Sequence, residues 1–427
     1  MTAYDFNRDC RCLSIDRTEL DQQLMGAGLA HGLSSDILAR HAHLFASVPV
    51  FVDREALTQM NATVRAIEEV VATPAYREAV LADAPDIAKH DPGPLGVFFG
   101  YDFHLGHDGP QLIEVNTNAG GALLNAFLAR SQRHCCDEME GLTTSPHRLG
   151  ELETAFSAMF SHEWCLAGHR GEPRRIAIVD DTPHEQFLFP ELLLFCELFR
   201  KRGIEAEIVD ARELVFDGKH LTHNGAAIDL VYNRLTDFYF TEHQALHDAY
   251  KARAAVITPH PRAHALYADK HNLVLLSDLS FLALLNLSPG VVATLSAGIP
   301  KTIVVDPADA DRLWSMRKTY FFKPMHGFGS KATYRGDKLT RRVFDEILTK
   351  PYVAQHLVPP TKRTIAIEGR DVPLKLDIRA YVYAQTTQLF ASRLYSGQTT
   401  NFRTQGGGFA PVFTQKSALD SRFGDPV

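Results

Sequence analysis

The stretch GYDFHLGHDGPQLIEVNTNAGG, residues 100–121, decides the fold. Residues 99–105 alternate apolar and polar side chains, the period of a half-buried strand. His107-Asp-Gly-Pro110 is turn chemistry, with Gly109 free to take a positive φ. Residues 111–115 read as the returning strand. One arm carries Asp102 and the other Glu114 and Asn116, which lie two apart and so share a face. Two carboxylates and an amide oxygen on one sheet face form a hard-oxygen site, the kind Mg²⁺ prefers when it is shared with phosphates. A solvent-facing polar hairpin would carry similar residues. The run of small residues from Asn118 to Ala122 favours the ligand site, because it lets backbone come close to a bound molecule.

Composition narrows the class. A chain of 427 residues has room for two or three domains. Apolar residues at 45% and charged residues at 22% fit a globular enzyme. A net charge of −7 argues against nucleic acid as a partner. No apolar run reaches the length of a membrane helix, and the N-terminal residues lack the apolar centre of a signal peptide, so no membrane partner is expected. The six cysteines show neither a disulfide framework nor zinc spacing: Cys10 and Cys12 are separated by one residue, and Cys135 and Cys136 are adjacent. These features point to a cytoplasmic protein.

The pattern Asp102, turn, Glu114-x-Asn116, then glycine-rich backbone resembles the metal-binding hairpin of the ATP-grasp ligases. In most of that superfamily the hairpin lies near the C-terminus. Its early place here, with the run DGPQLIEVNT, resembles the circularly permuted, eukaryotic-type glutathione synthetase family. The resemblance implies ATP and Mg²⁺ as cofactors and Asp102, Glu114 and Asn116 as metal ligands. It also requires that the nucleotide-binding motifs come after the hairpin.

Outward from the hairpin, the chain meets that requirement. Residues 1–95 read as a helical layer. Asp53 is placed to cap a helix whose apolar positions Leu57, Met60, Val64, Ile67, Val70 and Val71 recur at helical spacing. Residues 96–170 hold the hairpin and a helical connection that ends in the linker GHRGEP. Residues 171–260 alternate strand and helix, a small doubly wound sheet whose strands include residues 230–240. Ligands sit at the C-terminal ends of strands in such sheets, where Asp180, Asp181, Asn233, Arg234 and Asp237 fall. Arg234 and Asp237 are the substrate-binding candidates here, Arg234 because Tyr-x-Arg at a strand end matches a substrate-facing segment of the family.

Residues 261–427 carry the nucleotide motifs. Lys270 precedes a helix, as a phosphate-reaching lysine does in ATP-grasp enzymes. Lys323 ends a strand and leads into HGFGSK, in which Gly327, Gly329, Ser330 and Lys331 would cover the β- and γ-phosphates as a lid. The same glycines formally match a dinucleotide fingerprint, but residues 332–337 are β-prone and then turn-forming, so the required helix is missing. The phosphate loop of P-loop NTPases also fails on spacing. By the resemblance, Gln355 and Val358 supply hinge backbone to adenine, and His356 stands where a ribose-side acid is common. Lys375, Asp377 and Arg379 share one face of a strand. Arg379 would face the transferred phosphoryl group, and Arg393 lies on the next strand. The loop from Thr399 to Gly408 resembles the substrate- and phosphate-contacting loop of glutathione synthetases, with Asn401 on the nucleotide and Arg403 on an acyl phosphate or carboxylate. Backbone at Asn118, Gly120 and Gly121 completes the substrate side.

The expectation is therefore a permuted α/β ATP-grasp fold with an inserted small α/β domain. Its activity would be an ATP-dependent joining of a small carboxylate to an amine through an acyl phosphate, with Lys323, Arg379 and Arg403 as catalytic groups. The resemblance suggests a homodimer. Two departures stand out. Met325-His-Gly replaces the family's acidic metal ligand after the strand lysine, and Ala119 and Gly121 replace its substrate-binding serines. A degenerate ATP-binding regulator and a small-molecule phosphotransferase are the alternatives.

Overall fold

The computed structural model describes residues 2–10, 13–134, 143–326 and 332–415. The readings at Cys12, Cys135, Cys136 and the residues after Gln415 fall outside that range. The chain is a mixed α/β structure built on three main sheets. The largest has eight strands among the described residues, with central order Gly408–Gln415, Thr386–Tyr395, Arg370–Tyr383, Phe99–Gly106 and Gly109–Asn116. The early hairpin thus pairs with a strand from the far end of the sequence, Arg379 standing opposite Asp102. A second sheet is parallel, in the order Val256–Thr258, Leu230–Asn233, Arg175–Asp180 and Glu205–Asp210. A third, antiparallel sheet carries Tyr320–Pro324 and Tyr352–His356 side by side.

The N-terminal helical layer forms for the reason its periodicity gives. In the helix Arg54–Ala72, Leu57, Met60, Val64, Ile67, Val70 and Val71 are all buried. Its cap differs from expectation. Asp53 occupies the N-cap position but makes no capping bond, and its carboxylate accepts Ala3 N at 3.2 Å instead. The strand expected over residues 230–240 stops at Asn233. There the Asn233 side chain accepts Leu235 N at 3.0 Å and donates to Pro259 O at 3.1 Å, turning the chain out of the sheet.

The parallel sheet is joined to the large one by a continuous apolar core. Phe98, Phe156, Phe160, Phe195 and Tyr232 interlock, their ring centroids 5.0–6.2 Å apart in the pairs that touch. Two buried carboxylates fasten the same junction. Glu163 accepts Leu95 N, Gly96 N, Thr258 Oγ1 and Tyr383 OH at 2.5–2.9 Å, so four segments share one acid. Glu191, on the helix Phe189–Arg200, accepts Gly121 N at 2.7 Å and Leu123 N at 2.9 Å, capping the helix Ala122–Arg130 from outside. Burial pushes both carboxyl groups up, and the hydrogen bonds they accept oppose that shift.

Gly121 sits at φ +96°, and a Cβ there would stand 2.2 Å from the Phe409 ring. The residue is required by that close approach and by its left-handed backbone. Gly121→Ala is expected to destabilise the chain by about 2–4 kcal/mol, from strain and overpacking together. Urea unfolding checks this; an unchanged midpoint would exclude the tight packing.

Candidate functional site

A cleft of about 350 Å³ opens between the large sheet, the end of the strand Tyr352–His356 and the segment before Lys270. One wall is the strand Gly109–Asn116 with Thr117 and Asn118 continuing it; Ile113 to Asn118 all line the space. The cleft also collects Lys270, Lys323, Arg379 and Arg393, against Glu114 as the acid on its described lining. Such a surplus in a partly enclosed space attracts a polyanion.

The cations are placed by sheet register. Asp102 pairs with Glu114 on one side and with Arg379 on the other. Asp377, two residues before Arg379 and on the same face, pairs with Arg393. From these positions Arg379 Nε and Nη2 donate to the two oxygens of Asp102 at 2.6 and 2.7 Å. Arg393 Nη2 bridges Asp102 Oδ2 at 2.8 Å and Asp377 Oδ2 at 2.9 Å, while its Nε reaches Asp377 Oδ1 at 2.9 Å. Thr400 Oγ1 adds a bond of 2.6 Å to Asp377. Both aspartates are wholly buried. Burial alone would raise the Asp102 carboxyl, but the two guanidiniums outweigh it and hold the group at about 2.

Asp102, expected as a metal ligand, has its oxygens engaged by that ladder in this structure. Its oxygens already take three guanidinium N–H groups, and Asn116 Nδ2 adds a fourth donor at 3.1 Å. Glu114 and Asn116 do line the cleft. Asn116 uses its nitrogen on Asp102 and on Glu114 Oε1 at 3.4 Å, so its carbonyl oxygen is the atom a cation would take. One carboxylate and one amide oxygen suit Mg²⁺ that shares the rest of its shell with phosphates and water.

Lys323 is buried, and its Nζ donates to Ile113 O at 2.7 Å and Gln355 Oε1 at 2.8 Å. Burial lowers it to about 8, with Glu114 acting in the opposite sense. Because the Gln355 oxygen is turned to the lysine, its buried Nε2 is left without a hydrogen-bond partner. Lys270 and exposed His356 also line the cleft. Val358 lines it too, but its carbonyl accepts His104 Nδ1 at 2.7 Å. A carbonyl acceptor fixes the proton on Nδ1 and leaves Nε2 facing Tyr395 OH at 3.4 Å.

Several expected residues have other work. Asn401 lies off the lining: its Nδ2 donates to Ser396 O at 2.7 Å and its Oδ1 accepts Arg403 N and Thr404 Oγ1, both at 3.0 Å. It shapes the loop from which Gln398, Thr399, Thr400 and Phe402 enter the cleft. Arg403 is exposed and outside the lining. Asp237 caps its own turn, accepting Thr241 N, Glu242 N and His243 Nδ1 at 2.8–3.0 Å. Arg234 is buried with Nη1 on Asn118 O at 2.8 Å, and Asn118 Nδ2 returns to Leu235 O at 2.8 Å. Of the glycine-rich backbone only Asn118 lines the cleft. Gly120 O accepts Tyr381 OH at 2.8 Å, and Gly121 N is taken by Glu191. Gly327, Gly329, Ser330 and Lys331 lie outside the described residues. The lining residues missed from sequence include His104, Phe238, His264 and Tyr395. His104 had a usable signal, being on the Asp102 face two residues along the strand; the others come from a loop, a helical segment and a strand that only folding brings near.

No family model and no curated protein matches the sequence. Among solved structures, a glutathione synthetase-like effector from Globodera pallida covers 92% of this chain and 96% of its own, at 12% identity and TM-score 0.55. The two chains share a fold. A putative γ-glutamylcysteine synthetase from Methylobacillus flagellatus covers 84% of this chain and 87% of its own, at 10% identity and TM-score 0.47. The ATP-grasp ligase PsnB, solved with Mg and ADP, covers 58% of this chain and 91% of its own, at 15% identity and TM-score 0.30. The sequence resemblance to glutathione synthetases is thus met by a shared fold along nearly the whole chain.

Removing Asp102 strands a buried guanidinium. Asp102→Ala is expected to cost about 3–5 kcal/mol in urea unfolding, whereas Asp102→Leu combined with Arg379→Met costs less, since no unpaired charge stays inside. A double variant weaker than the single one would exclude the ladder as drawn.

Proposed function

We propose that the chain is an ATP-dependent carboxylate–amine ligase on a circularly permuted ATP-grasp arrangement. Residues 1–95 would form its helical layer, 96–170 its metal hairpin, 171–260 an inserted substrate domain and 261–427 its nucleotide-binding part. The observation that carries the reading is the convergence of Lys270, Lys323, Arg379 and Arg393 with Glu114 and Asn116 on one cleft. That set fits a triphosphate with its cation.

In this reading the hinge at Gln355–Val358 receives the base and Lys270 and Lys323 hold the phosphates. Glu114 and Asn116 would hold Mg²⁺, which offsets phosphate charge. A substrate carboxylate attacks the γ-phosphorus in line, forming an acyl phosphate and ADP. Arg379 and Arg393 face the transferred group, their planes fixed by Asp102 and Asp377. An amine then attacks the acyl carbon and inorganic phosphate leaves, giving the amide.

The deciding assay supplies Mg²⁺–ATP, hydroxylamine as the amine, and pools of small carboxylic acids. ADP release with hydroxamate formation is expected. In Glu114→Ala both should fall by at least about a hundredfold, with the fold retained by circular dichroism. ADP without hydroxamate would indicate a phosphotransferase, and ATP binding without ADP release a regulator.

Lys323 sets a pH dependence. Burial has lowered it in the free protein to about 8, and a polyanion binds its protonated form. ATP affinity should therefore be flat below that point and fall as pH rises through it, approaching about tenfold per pH unit. In Lys323→Met the fall should vanish, with affinity about ten- to a hundredfold weaker at pH 7. Calorimetric titration across pH 6–9 (roughly the span on either side of that value) reads both.

A further inference from the structure

One carboxylate breaks the apolar pattern of the N-terminal helix. Glu68 lies on the buried face of Arg54–Ala72, among Val64, Ile67 and Val71. Packing alone asks for an apolar side chain there, and a carboxylate costs stability unless its oxygens are bonded. Both oxygens are bonded: Oε1 accepts Tyr101 OH at 3.0 Å and Oε2 accepts Tyr267 OH at 2.7 Å. Burial pushes the Glu68 carboxyl up, and the two phenol bonds oppose that shift.

The two phenols lie behind two segments that line the cleft. Tyr101, on the strand Phe99–Gly106, pairs with Val115 and so stands between the Gly100–Asn116 and Asp102–Glu114 pairs. Being next to Asp102 on a strand, it points to the face away from the arginine–aspartate ladder. Tyr267 is three residues before Lys270 in the sequence. It belongs to the turn His264–Ala268, whose His264 and Ala268 line the cleft with Lys270.

That turn is a single π-helical one, closed by Asp269 N on His264 O at 3.3 Å. One such turn does not support itself, so its position is set by bonds from outside. Tyr76 OH donates to Leu266 O at 3.0 Å, and Asn272 Nδ2 donates to Ala265 O at 2.8 Å. The Tyr267 ring also lies on Phe99 of the hairpin, centroids 4.6 Å apart. Ring stacking tolerates sliding, whereas two hydrogen bonds to one carboxylate fix a distance. Glu68 therefore holds the Lys270 segment in register with the hairpin.

We propose that Glu68 is a positioning residue of the cleft: through Tyr101 and Tyr267 it sets where Lys270 stands relative to Glu114 and Asn116. The N-terminal helix thus does more than cover the sheet, since it carries the group that fixes the spacing of the cleft. That Lys270 and those two residues share a triphosphate and its cation rests on the ligase reading above; that Glu68 places Lys270 does not.

The test has a ligand-free part and a ligand part, both on the full chain. Tyr267→Phe keeps the ring on Phe99 and loses the bond to Glu68. Its hydrogen–deuterium exchange across residues 264–271 should be about five- to tenfold faster, with the strand Phe99–Gly106 unchanged. Calorimetry then compares a non-hydrolysable ATP analogue with Mg²⁺ against adenosine, which has no phosphate. Tyr267→Phe and Glu68→Leu should each weaken the analogue about five- to tenfold and leave adenosine within about twofold. Glu68→Gln, which keeps the shape and one acceptor, should weaken it less. In a Lys270→Met background none of the three should cost more than about twofold further, because changes that act through one group do not add. Unchanged exchange over residues 264–271 overturns the proposal. So does an unchanged analogue affinity in Tyr267→Phe, an equal loss for adenosine, or a loss that adds in full to that of Lys270→Met. If Glu68→Leu fails to fold, Tyr267→Phe decides alone. Faster exchange in a chain that binds no nucleotide keeps the placement of Lys270 and discards the ligase reading.

Discussion

Two arginines and two aspartates, buried in one face of the large sheet, set the charge of one wall of the cleft. Arg379, Asp102, Arg393 and Asp377 alternate in charge, and each is held by at least two bonds to its neighbours. Taking four charges out of water is costly, and their attraction offsets it only when geometry is good and the remaining donors and acceptors are satisfied. Cross-strand register supplies that geometry without long side-chain searches. The result is a pair of guanidiniums whose planes are set before any ligand arrives.

Buried acids also hold the units together. Glu163 ties residues 95–96, the helix Leu152–Leu166, the parallel sheet and the large sheet through one carboxylate. Glu191 reaches from the parallel-sheet unit to the backbone just after the hairpin. These bonds explain why the glycine-rich run is not simply open backbone waiting for substrate. Its Gly121 N–H and Asn118 carbonyl are engaged in fastening the parallel-sheet unit to the cleft floor.

Lys323 and His104 link the cleft walls in a related way. Lys323 bridges the hairpin and the strand Tyr352–His356 through Ile113 O and Gln355, and His104 reaches from the hairpin to Val358 O just beyond that strand. Burial drives both towards their neutral forms. A polyanion between the walls would reverse that tendency at Lys323, so the lysine joins wall-to-wall contact to the charge of the ligand.

The sequence by itself determined the elements and their chemical character. Alternation marked the hairpin, period 3.6 marked the helix over Arg54–Ala72, and strand–helix–strand marked the parallel sheet, because each pattern reports a local repeat of burial. It also placed Glu114, Asn116, Lys270, Lys323, Arg379 and Arg393 in one chemical group, by spacing and family resemblance. Pairing was decided only by the tertiary structure. Whether Asp102 faces a cation from solvent or two guanidiniums depends on strands 277 and 291 residues away, and no local pattern encodes that register. Asp237, Asn401, Arg403 and Gly121 look like ligand contacts in sequence because polar and glycine residues at loops serve turns and sites alike. Which of the two they serve is settled by where the neighbouring backbone donors and acceptors lie, and those come from the rest of the fold.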